Sequence, residues 1–141
     1  MQNPNARIVA LDIGAKRIGV ASANVVARLA SPETTLEVTD SIIEVIKRLL
    51  AEQTAVALVL GLPRGMQGQD TAQTKSVQEF GEKLAQEVDV PLYWQDEALT
   101  SQVSEDQLKA SKKPYQKGDI DALAASYILE DFLANHSEVL A

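Results

Sequence analysis

Apolar positions along the chain change their spacing twice, and each change marks a new kind of element. Arg7 to Ile13 (RIVALDI) is a short apolar run with one acid near its end, followed by Gly14. Such a run predicts a buried strand. Arg17 to Ala23 predicts a second strand, with Ala15–Lys16–Arg17 as a hairpin turn, so the two pair antiparallel. Arg28 to Leu36 predicts a third strand, and Pro32 within it marks an edge or bulged position.

The spacing then turns helical. Thr39 or Asp40 can cap a helix running to about Gln53, with Ile42, Ile43, Ile46, Leu49 and Leu50 on its apolar side. Val56 to Leu60 is apolar without alternation, as in a strand of a parallel sheet covered on both faces, and Gly61–Leu62–Pro63 closes it. Arg64 to Asp70 reads as a polar loop. Thr71 to Val88 reads as a helix with Val77, Phe80, Leu84 and Val88 on one stripe. Pro91 to Gln95 predicts a strand, Thr100 to Ser111 a helix, Ser111 to Gly118 a basic loop around Pro114, and Ile120 to Ala134 a last helix. The predicted order is β-β-β-α-β-α-β-α-α. That order implies an α/β fold with a mixed five-stranded sheet, three antiparallel strands followed by right-handed parallel βαβ units. No internal repeat, linker or low-complexity segment interrupts it, so residues 1–141 are expected to form a single domain.

Composition narrows the chemistry. With 45% hydrophobic and 23% charged residues the chain fits an ordinary globular domain. It has no cysteine, which excludes disulfides, thiolate zinc sites and a cysteine nucleophile. Met1 to Ala6 is not a signal peptide, and no stretch is apolar for long enough to span a bilayer, so a cytoplasmic protein with no membrane partner is expected. The net charge of −7 argues against a nucleic-acid partner. Local clusters argue the other way: Lys16 with Arg17, and Lys109, Lys112, Lys113 and Lys117. Acids in a metal site add negative charge that bound cations reverse locally.

Three acidic positions stand out. Asp12 ends an apolar strand, where a carboxylate is costly unless paired or metal-bound, and ligands of open α/β sheets bind beyond the strands' carboxyl ends. Asp96 and Glu97 follow the strand ending near Gln95, and Asp119 and Asp121 open the last helix. Hard divalent cations take such oxygen ligands, and two ions can activate a water and stabilise a leaving oxygen. Each acid also has a plainer reading. Asp119 suits an N-cap, Asp121 the positive end of a helix dipole, and Asp96 with Glu97 a solvated loop. Spacing does not choose between the neighbours.

The segments themselves resemble a known family. Residues 9–21 (VALDIGAKRIGVA) are similar to the opening motif of the YqgF family, pre-16S rRNA nucleases related to Holliday junction resolvases. Residues 59–68 (VLGLPRGMQG), 96–101 (DEALTS) and 117–129 (KGDIDALAASYIL) resemble its second, third and fourth motifs, in order along nearly the whole chain. The resemblance implies an RNase H-like fold and phosphodiester hydrolysis with Mg2+ or Mn2+, applied to the 5′ end of pre-rRNA in the cytoplasm. It implies Asp12, Glu97 and Asp121 as catalytic, metal-binding acids, with Asp119 and Asp96 as further metal candidates. Lys16, Arg17, Arg64, Lys113 and Lys117 would contact nucleic acid. Ala98 departs from the family's third motif, where arginine usually stands, and the segment 22–27 lacks a commonly seen aspartate.

Other readings share some of these features. A junction resolvase acting on branched DNA would need a two-fold homodimer, and sequence leaves monomer and homodimer open. Residues 12–19 also resemble the phosphate loop of actin-like ATPases and sugar kinases, which use two such domains. A non-catalytic RNA- or phosphate-binding domain is the third. Trp94 and Tyr93 are expected to pack in the strand layer, Tyr115 to offer a base-stacking surface, and His136 to be solvated.

Overall fold

The structure, a computed structural model, describes residues 4–65, 67–97 and 117–136. The expected helix Thr100–Ser111, together with Ala98, Lys113 and Tyr115, lies outside the described residues. Five strands and three helices are described: β1 (Arg7–Ile13), β2 (Arg17–Asn24), β3 (Ser31–Glu37), α1 (Ile42–Glu52), β4 (Ala55–Pro63), α2 (Ala72–Glu87), β5 (Leu92–Glu97) and α3 (Lys117–Asn135). They form a mixed sheet in the order β3-β2-β1-β4-β5. The first three strands are antiparallel, and β4 and β5 run parallel to β1.

Strand alternation divides the core in two. On one face Ile8, Ala10, Ala21, Ala23, Ala57 and Val59 pack against Ala125, Ile128, Leu129 and Phe132 of α3. On the other, Val9, Leu11, Ile18, Val20, Leu58 and Leu60 pack against Ile42, Ile46 and Leu50 of α1 and Val77 and Leu84 of α2. Both faces of β1 and β4 are therefore covered, as their unbroken apolar runs require. Trp94 joins the second cluster and Tyr93 the first, its ring centroid 5.3 Å from that of Phe132. Among the described residues no helix is long and apolar enough to cross a membrane.

Several boundaries differ from the sequence reading. The hairpin turn is Gly14–Lys16, and Arg17 already belongs to β2, its carbonyl accepting the Gly14 N–H at 2.9 Å. β3 starts at Ser31 because Arg28 takes a left-handed φ of 56° in the preceding turn. Pro32 does sit on an edge strand, beside a register shift in the β2–β3 pairing. α1 begins after Ser41 rather than on a Thr39 or Asp40 cap, and Ser41 caps it without a side-chain bond. α2 carries the expected start at Thr71, whose hydroxyl accepts the Thr74 N–H in a reciprocal box. β4 and β5 each run past their predicted ends, because Leu62 and Pro63 pair with Asp96 and Glu97. α3 starts at Lys117, so Asp119 is inside its first turn and is not the N-cap.

Helices approach the sheet closely where glycine removes a side chain. A Cβ on Gly81 would collide with the Trp94 ring, and one on Gly19 would collide with the backbone carbonyl of Asp121 in α3. In the second collision the Cβ meets backbone atoms, so no rotamer change relieves it. Gly19→Ala is expected to cost on the order of 3 kcal/mol. Urea unfolding followed by fluorescence of Trp94, the single tryptophan, measures it. An unchanged midpoint contradicts the packing described.

Candidate active site

The parallel strands β1, β4 and β5 end at one edge of the sheet, and the candidate acids collect there. Asp12 is the penultimate residue of β1 and shares its face with Ile8 and Ala10, the face that α3 covers. Its neighbours on both sides are glycines. Gly19 of β2 is its direct partner, and Gly61 of β4 lies one residue beyond the Leu11–Leu60 pair. Neither fills the space beside the carboxylate. At Gly19 the missing Cβ admits the backbone of α3 at Asp121. At Gly61 a Cβ would press on Ile128 and stand 3.4 Å from Cγ of Glu97. The Glu97 side chain therefore lies across β4, towards β1.

The same alternation separates Glu97 from Asp96. Glu97 shares the α3 face with Tyr93, two strand repeats back, while Asp96 shares the opposite face with Trp94. Asp96 is 69% exposed and pairs with Arg64 at 3.2 Å. Glu97 is partly buried, and its Oε1 is buried with no hydrogen-bond partner. Burial, then the charges of Asp131, Asp12 and Asp96, push the Glu97 carboxyl up to about 8. Burial, then the charge of Asp121, pushes Asp12 up to about 6. Two such carboxyls side by side, with no cation paired to either among the described residues, are costly in a structural role and typical of functional sites. As they stand, no three acids or histidines among the described residues are close enough to hold one ion between them.

Around these acids the cations are unevenly placed. Arg17 of β2 donates from Nε to Oδ2 of Asp121 at 2.7 Å. Lys16 is exposed at the tip of the hairpin turn. Arg64 directly follows β4, its guanidinium held by Asp70 and Asp96 and its backbone N–H donated to the Glu97 carbonyl at 3.0 Å. It thus ties the loop after β4 to the end of β5. Asp119 stands two residues before Asp121, a backbone position turned about 200° around the helix axis. Lys117 enters only as the first position of α3, and Lys113 lies outside the described residues. His136 stacks on Phe132, with ring centroids 4.7 Å apart, in place of the solvated position expected. The sequence reading passed over Gly19 and Gly61. An isolated glycine inside a strand is itself a signal of close approach by another group.

Comparison with known proteins places this edge in context. Residues 6–135 match the family model described as RuvX: Holliday junction resolvase. A protein of Gloeothece citriformis named "Putative pre-16S rRNA nuclease" is 42% identical over 127 residues, 87% of this chain and 84% of that one. Its namesake in Roseiflexus is 39% identical over 137 residues, 94% of this chain and 97% of that one. One from Rickettsia rickettsii is 37% identical over 134 residues, covering 92% and 87%. Among solved structures, T. thermophilus RuvC in complex with a Holliday junction superposes with a TM-score of 0.57 at 15% identity, covering 94% of this chain and 96% of that one. That likeness speaks to the fold, which is RNase H-like as the sequence resemblance implied. Matched along almost its whole length, the chain belongs to the RuvX family, the family its YqgF-like motifs pointed to.

Proposed function

We propose that this chain is a divalent-metal-dependent nuclease that matures the 5′ end of pre-16S rRNA in the cytoplasm, with Asp12, Glu97 and Asp121 as its metal-binding acids. The observation that carries the reading is the Glu97 carboxylate, which lies towards Asp12 with a buried, unpartnered oxygen. The donor set fits a hard cation, since it is all carboxylate oxygen and one of those oxygens is buried without a partner among the described residues. Mg2+ or Mn2+ bound there would supply an activated water and stabilise the leaving oxygen of a phosphodiester. The protein's part is to hold that chemistry in place. β1 and β5 fix Asp12 and Glu97 on one face, and the close approach at Gly19 fixes Asp121. Lys16 and Arg17 sit at the open edge and would meet phosphate, with Lys113 and Lys117 of the basic segment extending the contact.

Branched DNA is the second substrate reading, favoured by the description of the matching family model. It requires a two-fold dimer to cut paired strands symmetrically. Purified protein with Mg2+ should cut a precursor 16S rRNA fragment and leave a synthetic four-way junction intact. Symmetric junction cleavage reverses the substrate, and cleavage of neither removes the nuclease reading.

Asp12→Asn should lower cleavage by about a hundredfold or more, because even changes behind the metal ligands cost ~10–100-fold. Equal rates in wild type and variant contradict the assignment. Stability supplies a second check. The folded carboxyls titrate near 6 at Asp12 and near 8 at Glu97, above the ordinary 3.8 and 4.5. The unfolded chain sheds these protons first as pH rises, so the metal-free fold loses stability between about pH 4 and about pH 8. Metal-free Glu97→Gln should lose part of that slope and melt several degrees above wild type at pH 8. Melting of Glu97→Gln at or below the wild-type temperature at that pH would show that the carboxylate is satisfied without a metal.

A further inference from the structure

We infer that Arg17 is a resident cation of the site: it occupies Asp121 in the metal-free protein and must be displaced before a divalent ion can take that carboxylate. The inference rests on Asp121 being a metal ligand, as proposed above. Arg17 and Asp121 are 104 positions apart in sequence, yet Nε stands 2.7 Å from Oδ2. Register explains the meeting. Ile18 is buried on the α1–α2 face, so Arg17 and Gly19 flank it on the α3 face, where Asp121 rests on Gly19.

The pair is placed to open. The Arg17 backbone is fixed by the Gly14 N–H and by pairing with Glu37. Its side chain is 38% exposed and that of Asp121 25%, so the guanidinium can swing to solvent while the strand stays put. Among the described residues Nε makes the guanidinium's only hydrogen bond, and the outer nitrogens remain for a fork onto phosphate. The fold does not depend on this bond. α3 is already held through Gly19 and through Ile128, Leu129 and Phe132, and half-exposed ion pairs add little stability.

Asp12 and Glu97 differ from Asp121 in this respect: no described cation pairs with either. Of the three, Asp121 alone has its carboxylate occupied by a side-chain cation among the described residues. An arriving ion exchanges places with Arg17, and the freed guanidinium is left beside exposed Lys16, where it can meet a phosphate. Ion and nucleic acid therefore reinforce each other's binding, by equal factors in both directions.

Mn2+ titrated alone into the full-length protein, followed by calorimetry, tests the exchange without any turnover. Arg17→Gln should bind Mn2+ about three- to tenfold more tightly than wild type, the range expected from losing one competing ion pair. Lys16→Gln removes the same charge one residue away without touching Asp121, and should stay within about twofold. Unchanged or weaker binding by Arg17→Gln overturns the inference, as does an equal gain in Lys16→Gln. Asp12→Asn and Asp121→Asn separate this failure from a deeper one. If both bind Mn2+ like wild type, the metal site itself is wrongly placed. If both lose binding while Arg17→Gln is unchanged, only the resident-cation role falls.

Discussion

Everything at this site depends on one contact in which backbone meets backbone. α3 crosses the sheet so close to β2 that the Asp121 carbonyl lies where a Cβ of Gly19 would be. That contact is possible only with glycine at position 19, and Gly19 is the direct strand partner of Asp12. A residue from the last helix is thereby brought beside one from the first strand. Ala125, fully buried in the core cluster between α3 and the sheet, keeps the helix close one turn further along. A larger side chain at Ala125 would lift α3 and take Asp121 away from the edge.

Much of this was legible in the sequence, and the gaps have physical causes. The strands, the helical stripes and the edge position of Pro32 followed from period and from proline's missing donor. The choice between Asp96 and Glu97 did not. A strand read as ending at Gln95 leaves both acids in a loop, and a loop has no faces. Two more rungs of pairing, Leu62 with Asp96 and Pro63 with Glu97, extend the alternation and send the two carboxylates to opposite sides. Asp119 misled because glycine before an acid resembles a helix start, whereas α3 begins two residues earlier. Family resemblance selected Glu97 and Asp121 from pattern alone. Strand pairing puts Glu97, and not Asp96, on the face that Asp12 shares, and the close approach at Gly19 brings the Asp121 backbone to the strand partner of Asp12.

The distribution of charge also makes sense at this level. A chain of net charge −7 would repel a polyanion if its charges were spread evenly. Its acids are partly withdrawn instead. Asp70 and Asp96 are spent on Arg64, and Asp121 on Arg17, while Asp12 and Glu97 have no ion-pair partner among the described residues. Arg64 braces the β4 loop against the end of β5 through these bonds. The fold accepts the repulsion between Asp12 and Glu97 where an ordinary core would not, as sites built for binding commonly do.

The central claim is that these carboxylates form one divalent-cation site. A crystal of the protein grown with Mn2+, measured at the manganese absorption edge, locates the ion directly. The account predicts an anomalous peak coordinated by Asp12, Glu97 and Asp121, with the Arg17 guanidinium moved off Asp121. A peak elsewhere on the protein, or none with those three side chains ordered as they stand now, would contradict it.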